Sequence, residues 1–207
     1  MSSGRAAEDR IAIEAEETLS ENWHPLSKLR FAFHRRDGST QTLEREVYRN
    51  GRGAAVLPFD PQRGTVLLTR QFRIAAHVNG DPAWLVEACA GVVEDGRSPE
   101  DTARHEAEQE TGYRLRALRQ VFVLYTSPGA CAEKLHLFLA EYTPGDRHGS
   151  GGGLREEGEE IEVIEVIEVP LDEAWAMVRR GDILDAKTVL LLQHLLLLRG
   201  GGMRRES

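Results

Sequence analysis

Gly91 to Tyr113 read GVVEDGRSPEDTARHEAEQETGY. Ser98 is placed as a helix N-cap, because its hydroxyl can accept from an N–H that has no partner inside the helix. Pro99 suits the first helical position, where a missing N–H is no loss, and Glu100 and Asp101 face the positive end of the helix dipole. Gly112 can adopt the left-handed conformation that ends a helix. Ala103 and Ala107 make a narrow apolar stripe, which lets the helix lie close on a sheet. Glu106 and Glu110, four apart, share another face. On spacing alone, two such glutamates are more often a solvated face than a site.

Working outward, Trp84 to Ala90 is a short apolar strand ending at Gly91, after a loop at His77 to Pro82. Further upstream, strands at Ala54–Phe59 and Thr65–Arg70 bracket the Pro- and Gly-containing turn DPQRG. Strands at Leu29–Phe33 and Gln41–Val47 flank Arg36-Asp37-Gly38-Ser39, whose Asp-Gly pair favours a tight hairpin. Downstream, strands are expected at Arg119–Tyr125, Leu135–Glu141 and within Ile161–Val169. The long loop between the last two, Tyr142 to Glu160, is of a length usually reserved for function. Leu171–Arg180 and Ala186–Arg199 read as closing helices, the second apolar on most faces and hence buried. IEVIEVIEV is a local triplet duplication rather than a domain repeat. Structure is expected to begin near Ile11. The division adopted is a flexible N-terminus at 1–16, a β-rich portion at 17–52, the main domain at 53–199 and a flexible tail at 200–207.

Of 207 residues, 41% are hydrophobic and 29% charged, as in an ordinary globular protein. The net charge of −8, from 34 acids against 26 bases, disfavours a general nucleic-acid binder, whose affinity rests on Lys and Arg neutralising phosphates. Cys89 and Cys131 and the lack of a secretory signal point to a reducing cytoplasm and free thiols. The longest apolar stretch, Thr188 to Leu198, falls short of the roughly 20 residues that cross a bilayer.

The Gly-terminated strand, the short acidic loop and the capped helix with paired carboxylates resemble the Nudix box, G-x5-E-x7-R-E-U-x-E-E-x-G-U. Gly91, Glu106, Ala107, Glu110, Gly112 and Tyr113 fit it without gaps. Arg97 stands for its first Glu, His105 for its Arg and Gln109 for the first Glu of its pair. The first two replace an acid and a base together, leaving no orphan charge, whereas Gln109 removes a carboxylate from the metal face. LLTRQFR (67–73), VEACAG (86–91), LYTSPGACAEKLH (124–136), GGGL (151–154) and GDILDAKTVLLL (181–192) are similar to a subgroup of Nudix hydrolases acting on nucleoside diphosphate sugars. That subgroup takes GDP-mannose or ADP-ribose, and the likeness is greater to the GDP-mannose enzymes.

The resemblance implies an α/β/α sandwich with an N-terminal β-rich portion, a homodimer, and hydrolysis of a P–O–P bond with Mg²⁺, or alternatively Mn²⁺. It implies metal ligands at Glu106, Glu110, the carbonyl of Ala90, and Glu159. It implies a general base at Glu157, with Glu156 and Glu160 as alternatives in the same acidic loop. For the substrate it implies Trp23 stacking on the base, Arg45 and Glu46 reaching the nucleotide from the partner subunit, and Arg73, Gly91, Glu133 and Lys187 lining the pocket. Trp23 could equally be a packing residue, and Lys187 a surface cation. Cys131 and His136 are expected to be structural. A Nudix-like sensor that binds nucleotide without turnover is the competing class; the retained carboxylates argue against it. The acidity is concentrated: residues 94–110 carry −5 and residues 155–173 carry −8, leaving the remainder at +5.

Overall fold

The structure, a computed structural model, describes residues 10–152 and 164–201. The expected base and metal acid at Glu157 and Glu159, with Glu156 and Glu160, lie outside the described residues. The chain divides into two compact units, one of residues 1–51 and 125–134, the other of 52–124 and 135–207.

In the first unit β1 (Ile11–Glu21), β2 (Pro25–His34) and β3 (Thr40–Tyr48) form an antiparallel meander. Residues 11–16, assigned by sequence to the flexible start, make the first half of β1; their short alternation of Ile, Ala and Glu is a strand pattern. The β2–β3 turn falls where Asp-Gly predicts it. Gly38 takes a φ of 87°, and Asp37 accepts from the Ser39 amide at 2.9 Å and its hydroxyl at 2.7 Å. Segment 125–134 docks on Tyr48, whose N–H donates to Ala130 O and whose carbonyl accepts from Ala132 N.

The second unit is built on a sheet of order β10-β5-β4-β9-β8, from β4 (Arg52–Asp60), β5 (Thr65–Phe72), β8 (Arg116–Tyr125), β9 (Lys134–Glu141) and β10 (Glu165–Pro170). Ala54 through Leu57 in β4 are fully buried because both faces of the strand are covered. Ala55 and Leu57 share a core with α3 (Leu171–Arg180) and α4 (Ala186–Arg199), while Ala54 and Val56 share another with Ala103 and Ala107 of α2 (Pro99–Thr111). Helices on both faces of a mixed sheet make the expected α/β/α sandwich.

This unit differs from expectation in three places. A five-residue helix, α1 (Ile74–Val78), precedes the loop at 79–82. The apolar run 84–90 is broken into β6 (Trp84–Glu87), which pairs with β5, and β7 (Cys89–Val92), which pairs with β4. Between them Ala88 gives its N–H to Thr188 Oγ1 at 2.7 Å. The chain changes partner strand there, and a side chain from α4 satisfies the amide the ladder leaves unpaired. Helix α4 buries only one face, Thr188, Leu191, Leu192 and Leu195, and leaves Leu190 and Leu197 exposed. Its hydrophobicity exceeds what one sheet face can cover.

Candidate active site

Helix α2 starts and stops where its sequence dictates. Ser98 Oγ accepts from Asp101 N at 3.0 Å, and Gly112 closes the helix at φ 77°. Gly112 is required for a second reason: a Cβ there would overlap Gly149 O. The Gly112 carbonyl accepts from His148 N at 2.8 Å and Gly149 N at 3.2 Å, and Gly152 N donates to Glu110 O at 2.9 Å. The glycine-rich stretch is thus pinned to the last turn of the glutamate-bearing helix. A 3-10 turn at Pro144–Asp146, closed by Thr143 and Asp146, adds structure to a loop expected to have none.

Glu106 and Glu110 face inward from α2, whereas Gln109 and His105 are exposed. Gln109 is therefore turned away from the carboxylate pair. Arg97, which stands where the box has its first Glu, ion-pairs with Glu94 at 3.4 Å. Glu106 lies over Gly91, where a Cβ would overlap its carboxyl group, so Gly91 is needed for the approach. Glu110 is 5% exposed; Oε1 accepts from Gln71 Nε2 at 3.0 Å, and buried Oε2 has no hydrogen-bond partner. Burial first, then the charge of Glu106, push its pKa up to about 8 against the opposing bond of Gln71 and the charge of Arg73. The Cys89 thiol, buried and free, is itself pushed well up by burial and by Glu110.

Such a pair fits a hard divalent cation. It offers carboxylate oxygens, one of them buried without a partner, with Glu106 lying against Gly91 of β7. Among the described residues no group of three or more His, Cys, Asp or Glu side chains is arranged to hold a metal. The site as described supplies two carboxylates.

Beside them runs a polar chain of which the sequence reading named only Arg73 and Lys187. Gln71 Oε1 accepts from Arg73 Nη2 at 2.7 Å, and Arg73 Nε donates to Glu87 Oε1 at 2.9 Å. Glu87, 3% exposed, also binds Lys187 Nζ at 2.6 Å, and Lys187 meets Asp185 at 2.9 Å. Lys187 is 14% exposed and hence no surface cation. Burial disfavours its charge, but Asp185 and Glu87 outweigh that and raise its pKa. Gln71, Glu87 and Asp185 went unnoticed in the sequence. The available signal was a glutamate inside the apolar run WLVEACA, since a charge there needs a buried counterion.

Trp23, Arg45, Glu46 and Glu133 belong to the first unit. Trp23 is 81% exposed, which removes the alternative of a core-packing residue within the chain. Arg45 and Glu46 are exposed on β3, and Glu133 accepts from Thr126 Oγ1 at 2.7 Å. Ala90, Gly91, Arg73, Glu106, Glu110 and Lys187 are all in the second unit.

Capped helix, glycine contact and paired carboxylates on an α/β/α sandwich define a class built to hold a cation against phosphates. The chain belongs to the Nudix family: residues 49–192 match the NUDIX domain, and residues 10–48 match the GDP-mannose pyrophosphatase NudK N-terminal domain. Hydrolases of that family depend on divalent metal. The chain is similar to GDP-mannose pyrophosphatases from Cronobacter sakazakii (49% identical over 89% of this chain and 94% of that one) and Pectobacterium atrosepticum (45% over 90% and 94%). The Escherichia coli protein of the same name is 41% identical over 90% of this chain and 95% of its own. A solved ADP compounds hydrolase superposes with a TM-score of 0.72 over 94% of this chain and 97% of its own; at 18% identity the likeness is one of fold.

Proposed function

We propose that this protein hydrolyses the diphosphate of GDP-mannose to GMP and mannose 1-phosphate with Mg²⁺, Mn²⁺ serving as a substitute. The observation that carries the reading is the buried, partnerless Oε2 of Glu110 beside Glu106, within one glutamine of a cationic Arg73. Similarity to GDP-mannose pyrophosphatases at 41–49% identity supports the choice of base and sugar.

Glu106, Glu110, the Ala90 carbonyl and Glu159 would hold the metal, which when bound neutralises phosphoryl charge and makes water more acidic. Glu157 takes the proton of the attacking water. Arg73 offers guanidinium charge to the phosphate oxygens, and Lys187 a point charge. Gly91 lets the carboxylates come close. Exposed Trp23 supplies an indole face for guanine, with Arg45, Glu46 and Glu133 as polar contacts. Glu157→Gln should cut kcat by about 10²-fold or more with near-normal substrate affinity; a variant that keeps its kcat would move the base to a neighbouring acid.

The exposed Ile11, Ile13 and Leu19 of β1 support a homodimer in which the N-terminal β-rich portion meets a second copy. Among the described residues no helix is long and apolar enough to cross a membrane, and free thiols suit a cytoplasmic location. The test is turnover on GDP-mannose, ADP-ribose, UDP-glucose and NADH with and without Mg²⁺. Metal-dependent preference for GDP-mannose supports the reading; nucleotide binding with no product release would make the protein a sensor.

A further inference from the structure

Glu87 ends β6 at the point where the chain leaves β5 for β4, and its position is fixed from both sides. It stands opposite Thr69 on β5, and the next amide is held by Thr188 of α4. From this anchored backbone the carboxylate divides its oxygens between two cations. Oε1 accepts from Arg73 Nε at 2.9 Å, while Oε2 accepts from Lys187 Nζ at 2.6 Å and from Arg73 Nη2 at 3.3 Å. Arg73 is further held by Gln71, and Gln71 by Glu110.

We propose that Glu87 is a positioning residue for the diphosphate: given the hydrolase reading above, one buried carboxylate fixes the spacing and direction of the Arg73 guanidinium and the Lys187 ammonium before substrate arrives. A lysine or arginine that must be ordered by the ligand spends binding energy on lost rotamer freedom. Here that ordering is already done by an anion 3% exposed. The fork geometry of Arg73 is engaged along its Nε–Nη2 edge, so its plane is set by Glu87 and Gln71 rather than by the phosphate. The competing role for Glu87 is structural, an ion pair that ties α4 to the sheet; it would cost stability and leave the affinity of a folded variant unchanged.

Glu87→Asp separates the two roles, because it keeps the charge and withdraws it by one methylene. GDP is titrated calorimetrically with Ca²⁺ in place of Mg²⁺, and KM and kcat for GDP-mannose are measured as a function of Mg²⁺. Folded Glu87→Asp is expected to bind GDP about tenfold more weakly and to raise KM by about as much, with kcat within about threefold and an unchanged Mg²⁺ dependence. Combined with Arg73→Ala and Lys187→Ala together, it should add less than about twofold, since it acts through them. A folded Glu87→Asp with wild-type GDP affinity and KM, or effects that multiply in the combined variant, would overturn the proposal. Glu87→Gln reports on charge removal, but the cycle with Glu87→Asp decides if that variant does not fold. Should the wild type bind GDP yet release nothing from GDP-mannose, the hydrolase reading fails and the GDP titrations still decide on Glu87. A wild type that neither binds GDP nor turns over GDP-mannose overturns both.

Discussion

Glu110 carries the contradiction that makes the site chemical: a carboxylate buried against a second carboxylate, with one oxygen unpartnered. In the metal-free protein its pKa of about 8 means that folding takes up a proton between the ordinary glutamate value and pH 8. The group's contribution to stability is present below the unfolded pKa and is lost as pH rises through the folded one. Thermal unfolding of the metal-free wild type and Glu110→Gln across pH 5–9 should therefore show the wild type losing ground to the variant as pH rises. A parallel pair of curves would show that Glu110 titrates normally. Mg²⁺ favours the ionised form, so added Mg²⁺ should stabilise the wild type most near and above pH 8 and the variant much less. Glu87, equally buried, goes the other way. Burial opposes its charge, but Lys187 and Arg73 prevail, and its pKa is lowered.

At the scale of elements, the glutamates reach the site because α2 lies close on the sheet. Ala103 and Ala107 are fully buried in one cluster with Ala54, Val56 and Cys89, and in a close-packed interior a larger side chain forces its neighbours to move. Ala107→Leu should cost about 1–3 kcal/mol in urea unfolding and lift Glu106 and Glu110 together, lowering turnover. Full stability with full activity would show that close packing is not what places the pair. Helix α2 was legible in sequence because Ser98, Pro99 and Gly112 are local signals acting within one turn. The hairpin at Asp37-Gly38 was legible for the same reason. The break at Ala88 was not, since it depends on a hydroxyl 100 residues away in α4. Helix α1 was too short for a periodic signal. The single-sided burial of α4 depends on how much sheet there is to cover, which its own leucines do not state. Within the site, the box located Glu106, Glu110 and Gly91, and family likeness nominated Arg73 and Lys187. The residues that join them, Gln71 and Glu87, became visible once β5, β6 and α4 were side by side.

Across the whole molecule, about half of the 34 acids, and all of the net negative charge, lie in segment 94–110 and segment 155–173. The first of these delivers Glu106 and Glu110, and Gln71 joins Glu110 to Arg73, one of two cations held by Glu87. Carboxylates for a metal and cations for phosphate, set side by side on a Nudix sandwich, are the requirements of diphosphate hydrolysis. The most direct measurement is phosphorus NMR of GDP-mannose incubated with the protein and Mg²⁺. GMP and mannose 1-phosphate should appear in equal amounts as the diphosphate signals disappear, and only with the metal present. GDP with free mannose, or an unchanged spectrum, would contradict the account.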